Sequence, residues 1–372
     1  MKNNKQIVSL ALAGTLSILA CTAQAVEFRG SGFLTLAAGK MLDNELPDGF
    51  NVVDYGQAGI YDDNDWSIGP DSKLGLQGVV TFNPQWSATG QIVSRGAHDG
   101  AVNLEWLYAT YQATDDLTVQ FGRKRLPLFY YSESQDVGIA LPWVRLPAPA
   151  YGWDVVNFNG ANVIHRASFG DWSSAAEVFY GNESRDDNPY QEIYNGRNTA
   201  WDEKWNDIYG VDWTLNRDWL ELRLSYVHSD LEYWDTTDKA GTYSSTDQSF
   251  YSIALAIDQG NWLVRSEISK IDRPDFAEHD WAYLLGAGYR MGKWLPMVTF
   301  SRFQGDYTDG SPDERMDDVS LSLRYDLGSS SAIKVQYDIF DDRSDPAGIT
   351  GYNASGLYGD SKLLSISYDR VF

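Results

Sequence analysis

Beyond its first 25 positions the chain is built from short runs in which apolar and polar residues alternate. Leu220, Leu222, Leu224 and Tyr226 fall on one side of one run, with Glu221, Arg223 and Ser225 on the other. Val319, Leu321, Leu323 and Tyr325 oppose Ser320, Ser322 and Arg324, and Ile333, Val335, Tyr337 and Ile339 oppose Lys334, Gln336 and Asp338. A period of two sends successive side chains to opposite faces of a β-strand. Sixteen such segments are predicted. They lie near 27–39, 74–83, 86–95, 103–112, 117–124, 160–169, 172–181, 207–215, 219–229, 248–257, 261–271, 281–290, 295–304, 316–325, 332–340 and 361–372.

The connections alternate in length. Asn83-Pro84-Gln85, Gly170-Asp171, Asn216 to Asp218 and Asp258 to Gly260 are short, whereas 40–73, 125–159, 182–206, 230–247 and 341–360 are long. A soluble sandwich has no reason to shorten every second connection. A transmembrane β-barrel does, because its periplasmic turns are short and its outward loops long. An even strand count also returns both ends to one side. The apolar faces begin or end in aromatics such as Trp86, Tyr111, Trp172, Tyr180, Trp213, Trp262, Tyr289 and Trp294. Trp and Tyr collect at the two interfaces of a bilayer. The fold class is therefore all-β: one closed antiparallel barrel of about sixteen strands spanning an outer membrane.

Composition narrows the rest. No uninterrupted apolar run of about 20 residues follows the first 25, so a helical bundle in the membrane is excluded. Residues 1–25 read as a secretory signal: Lys2 and Lys5, an uncharged stretch from Ile7 to Ala20, and Ala23-Gln24-Ala25 before the cut. The domains are then a signal over 1–25 and a barrel over 26–372. Lipoprotein processing at Cys21, the one cysteine, is the rival reading. Removal of the signal leaves no cysteine and hence no disulfide. The formal charge is −23, and losing Lys2 and Lys5 makes it more acidic. Nucleic acid, which calls for clustered basic charge, is not an expected partner. The outward loops are acidic, and 40–73 holds Asp43, Glu45, Asp48, Asp54, Asp62, Asp63, Asp65 and Asp71. Asp62-Asp63-Asn64-Asp65 lacks the ligand spacing of a calcium loop, so no metal site or cofactor is expected.

The third outward connection stands apart. It runs from Arg123-Lys124-Arg125 through Leu126-Pro127-Leu128-Phe129-Tyr130-Tyr131 to Leu141-Pro142-Trp143-Val144-Arg145. An exposed loop this apolar is a sticky patch; folded into the barrel, it is buried. The run from Gly122 to Tyr151, the sixteen-strand pattern and a final strand ending in Phe372 together resemble the Gram-negative outer-membrane porins. Arg370 departs from the usual apolar pattern of that strand. The resemblance implies a water-filled channel for passive diffusion of small hydrophilic solutes, a homotrimer among membrane lipid and lipopolysaccharide, and a pore narrowed by the third loop.

On this reading Arg123, Lys124, Arg125, Glu133, Asp136 and Arg145 form the constriction. Arg95, Arg166, Arg223, Arg265, Arg290 and Arg324 line the lumen, since charge avoids hydrocarbon but not a wet channel. An alternative is a channel with a saturable site for a sugar or an anionic solute, with Phe129, Tyr130, Tyr131 and Trp143 stacking on it. An outer-membrane enzyme is a third class. It needs a nucleophile and an oriented His, and His98, His165, His228 and His279 stand in no recognisable motif. Intact mass of the purified protein is expected to match a chain starting at Val26; an acylated Cys21 would overturn that start.

Overall fold

In hydrocarbon no water is available to bond backbone N–H and C=O groups, so a sheet there must close on itself. The computed structural model describes residues 26–44, 61, 65–98, 100–152, 156–188, 200–236, 243–310, 313–343 and 359–372. Its sixteen strands are β1 (Glu27–Asn44), β2 (Lys73–Thr81), β3 (Trp86–Arg95), β4 (Val102–Gln112), β5 (Leu117–Arg125), β6 (Asn157–Phe169), β7 (Trp172–Arg185) and β8 (Trp201–Arg217). The second half comprises β9 (Leu220–Asp235), β10 (Tyr243–Gln259), β11 (Trp262–Arg273), β12 (Glu278–Tyr289), β13 (Trp294–Tyr307), β14 (Glu314–Gly328), β15 (Ser331–Asp342) and β16 (Gly359–Val371). They form one closed barrel in chain order, with every neighbouring pair antiparallel and β1 against β16.

Each expected segment is a strand, but several run longer than the alternation indicates. β8, β9 and β10 have 17, 16 and 17 residues. Their added outward ends carry Asp202, Glu203, Asp230, Glu232, Ser245 and Asp247. Beyond the lipid the outer face has no need to be apolar, so the pattern stops while backbone pairing continues. The expected signal over 1–25 lies outside the described residues, as do Glu45, Asp48, Asp54, Asp62, Asp63 and Asp154.

The outer face is apolar and open. Leu76, Val178, Ile253, Leu285, Val298 and Leu321 are exposed on it. On a soluble protein such a band would aggregate; here it meets lipid. Beside the short turns Trp86, Trp262 and Trp294 pack against Tyr111, Tyr289 and Tyr325, with ring centroids 4.7, 5.0 and 4.4 Å apart. Nearer the outward end, Tyr180, Tyr209 and Tyr251 supply the opposite belt.

Close packing inside depends on small residues at particular heights. Phe33 of β1 is paired in register with Gly75 of β2, and its ring occupies the space a Cβ at Gly75 would need. Gly75→Val is expected to lower the temperature at which the folded electrophoretic band unfolds, by an overpacking cost of about 1–3 kcal/mol. Gly328→Ala, where an added Cβ meets nothing within 4 Å, is the matched control.

Candidate functional site: the infolded loop and the passage beside it

The chain leaving β5 turns into the barrel rather than over it. Leu126, Leu128 and Phe129 pack on inward side chains of β6 to β10, among them Phe158, Phe179, Ile208, Val227 and Phe250. Farther along, Tyr131, Leu141 and Trp143 pack on Leu263, Leu284, Leu295 and Met297. The aromatic, Pro-rich composition of this connection is thereby accounted for: it is a core folded against the lumen wall. Burying each large side chain contributes roughly 1.5–3 kcal/mol. The indole Nε1 of Trp143 donates to Thr299 Oγ1 at 2.8 Å, so its polar edge is satisfied as well.

Charges fix the position of this apolar mass at three places on the wall. At the first, Arg95 grips Asp136 with two bonds of 2.8 and 2.6 Å and reaches Glu105 at 2.7 Å. Arg125 adds a bond to Asp136 at 2.7 Å and lies in ion-pair range of Glu105 at 3.1 Å. Glu105 gets there through an irregularity in the β3–β4 ladder, where Gln91 pairs with Trp106 but Ile92 pairs with Leu104. The extra residue is Glu105, and such a bulge re-aims a side chain. Burial alone pushes the Asp136 carboxyl up, but the guanidiniums of Arg95 and Arg125 outweigh it and hold it well below its ordinary value.

At the second place Arg223 clasps Glu133 with two bonds of 3.0 Å, donates to Tyr130 O at 3.1 Å, and is held from behind by Asp212 at 2.7 Å. At the third, Arg145 pairs with Asp71 and Asp338, each at 2.9 Å, and also bonds Ser365. Lys334 donates to the carbonyls of Gly138 and Trp143, both at 2.6 Å, and Arg324 to those of Ile139 and Leu141 at 2.7 and 3.0 Å. Gly138 is required here, since a Cβ would overlap the side chains of Asp369 and Thr35.

Of the six expected constriction residues, Arg125, Glu133, Asp136 and Arg145 thus belong to the pins. Lys124 stays on the wall, bonded to Gln120 at 2.6 Å and Glu177 at 3.3 Å. Arg123 turns away, to Leu104 O at 2.8 Å and Glu183 at 2.5 Å. Among the expected wall residues, Arg95, Arg223 and Arg324 hold the loop, and Arg290 pairs with Asp258 at the turn end. Arg265 donates to Tyr131 Oη at 2.8 Å and Arg166 to Thr118 Oγ1 at 3.0 Å. Phe129, Tyr131 and Trp143, expected to stack on a solute, are instead buried under the loop at 4, 5 and 0% exposure. Asp71 and Glu105 are essential anchors that the alternation alone does not mark. The one available signal for Glu105 is Leu104 and Leu107 sharing an outward face, which no strict period of two allows.

Beside the loop, the inner wall of β2 to β6 carries Gln77, Gln91, Thr110, Gln120, Asn162 and Arg166. Across from it Glu133 is the most open charge among the described residues of the loop, its side chain 49% exposed although bonded to Arg223. The arrangement leaves a polar passage beside the loop.

A family model described as Gram-negative porin matches residues 9–345. In fold the chain is similar to the anion-selective porin from Comamonas acidovorans, at 14% identity and a TM-score of 0.59, over 94% of this chain and 100% of that one. It is also similar to the outer membrane channel DcaP of Acinetobacter baumannii, at 10% identity and a TM-score of 0.56, over 93% and 97%. OmpT of Vibrio cholerae aligns over 95% and 99% at 12% identity, with a TM-score of 0.57. Among curated proteins none matches the sequence. The closed wall, the loop anchored within it and the family match across most of its length place this chain among the Gram-negative porins, as an outer-membrane channel for passive diffusion.

Proposed function

We propose that residues 26–372 act as a single barrel domain, after loss of a signal over 1–25, and that small hydrophilic solutes cross it beside the infolded loop without covalent chemistry. The observation carrying this reading is the neutralisation of the lumen's charge. Asp136, Glu133 and Asp338 each meet an Arg within hydrogen-bond distance, so most charged groups inside position the loop. The passage is then left with hydroxyls, amides and few unpaired charges. Among the described residues Arg166 and Arg265 have no carboxylate in ion-pairing range and Glu221 and Glu267 no cation, so the preference between anions and cations is weak. Low-dielectric walls strengthen the field of such groups.

The protein is not an enzyme on this reading. His228 lies 3.2 Å from Ser249 Oγ and 3.8 Å from Asp230. All three are on the outward-facing side of the sheet, away from the passage. A homotrimer in lipopolysaccharide-bearing lipid is the proposed assembly. OmpT of Vibrio cholerae is described in a trimer form. In this chain β2 to β5, at 9 to 11 residues, make a low side of the wall suited to being covered by other copies.

Planar-bilayer recording tests the reading: the purified protein is expected to give stable, ohmic conductance in KCl, and no conductance would refute it. Glu133→Gln leaves Arg223 facing the passage with only Asp212 to balance it. The reversal potential in a salt gradient is expected to move toward anion preference; an unmoved potential would place Glu133 off the ion path. Asp136→Asn strips Arg95, Arg125 and Lys73 of their shared partner. Breaking a buried pair in this way costs about 3–5 kcal/mol. The open-channel current is expected to become noisier and larger as the loop loosens, while Arg166→Gln keeps a quiet trace.

A further inference from the structure

Resting on the porin reading, the structure assigns a saturable subsite for a neutral, hydroxyl-rich solute, a sugar, to the inner wall of β1 to β4. A cavity of about 400 Å³ lies there between the wall and the infolded loop. That is within the range of small-molecule pockets, roughly 300–1,000 Å³. Ser31, Gln77, Gln91 and Trp106 of the wall, Val137 of the loop, and Val371 and Phe372 at the seam with β16 are among the groups that bound it, and no charged side chain does.

The register explains how these residues come together. Ser31 pairs with Gln77, Gln77 with Gln91, and Gln91 with Trp106, so the four side chains form one row across four strands. Trp106 belongs to the row through the same bulge that delivers Glu105. With Glu105 taking the extra position, both it and Trp106 face inward while Leu104 and Leu107 keep to the lipid. One irregularity thus supplies an acid to the loop's anchor and an aromatic ring to the passage.

The chemistry of the row fits a sugar. Gln91 Nε2 donates to Gln77 Oε1 at 2.9 Å. This bond orders both amides and leaves the N–H group of Gln77 and the carbonyl oxygen of Gln91 side by side, with no other partner among the described residues. A donor next to an acceptor matches two adjacent hydroxyls, each of which both gives and takes a bond. Trp106, half-buried, flanks the amides with aromatic surface, on which the C–H face of a pyranose packs. An ion gains nothing from such a wall, having no countercharge there to replace its water.

The test is a titration of ion current through the full mature channel in a planar bilayer. Sucrose and maltotriose are the probes, added to either side, with gluconate as a charged control. The expected result is a saturable drop in KCl current with sucrose or maltotriose and none with gluconate. Trp106→Ala is expected to raise the half-blocking concentration at least tenfold and Trp106→Phe by less; Gln77→Ala repeats the test should the Trp106 variants fail to assemble. A conducting wild-type channel that neither sugar blocks saturably overturns the subsite, as does block of equal strength in the Trp106→Ala and Gln77→Ala channels. Absence of KCl current in the wild type would instead overturn the porin reading itself.

Discussion

Every backbone N–H and C=O group that crosses the hydrocarbon has to find its partner within the protein, and the rest of this structure follows from that requirement. A sheet can meet it only by closing, and closure divides the side chains into two populations with opposite needs. Outward residues meet lipid, which explains the exposed band of Leu, Ile and Val and the Trp–Tyr pairs at its edges. Inward residues meet whatever fills the lumen. The barrel is too wide for its own side chains to fill it, so part of the lumen is available to a segment of the chain and part to water.

The segment that enters is held by two kinds of force with different jobs. Apolar contact with β6 to β13 supplies the bulk of the attraction, but it is non-directional and tolerates sliding. The charge clusters supply the register. Arg95, Arg223 and Asp338 stand at separated places around the wall, and each is met by an oppositely charged group of the loop at 3.0 Å or less. Buried pairs of this kind add little net stability compared with apolar replacements, yet losing one partner is expensive. They penalise every position of the loop but one. The permeation path gains a fixed width from groups that have themselves been neutralised.

The strands were legible in the sequence because lipid imposes a strict rule on one face. Leu321 and Leu323 against Ser320 and Ser322 leave little room for another reading. Strand ends were less legible, since β8 to β10 rise past the membrane, where that rule no longer holds. The infolding of the third loop was legible from Phe129, Tyr131 and Trp143, which no exposed loop tolerates. Their role was not, because burial and solute stacking call for the same residue types. The roles of Arg125 and Arg145 depend on Glu105 and Asp71, far off in sequence, and an inward Arg reads the same whether it faces water or a carboxylate. Trp106 escaped notice for a further reason: a bulge changes the face of every residue on one side of it, and alternation read without the bulge puts the ring on the wrong side.

The seam of the barrel carries a kinetic meaning. Gly32 and Phe372 exchange two backbone bonds, N to O at 2.8 Å and 3.0 Å, joining β1 to β16 across almost the entire chain. All other neighbouring strands are also neighbours in sequence, so their pairing is local and can proceed as the chain becomes available. The seam is the one pairing of very high contact order, and it carries the largest loop-closure entropy. Until it forms, two strand edges stay unsatisfied, and a partly folded sheet has no stable place in lipid. Insertion and closure are thus bound into a single late event, which leaves the incomplete chain dependent on whatever shields its edges in transit.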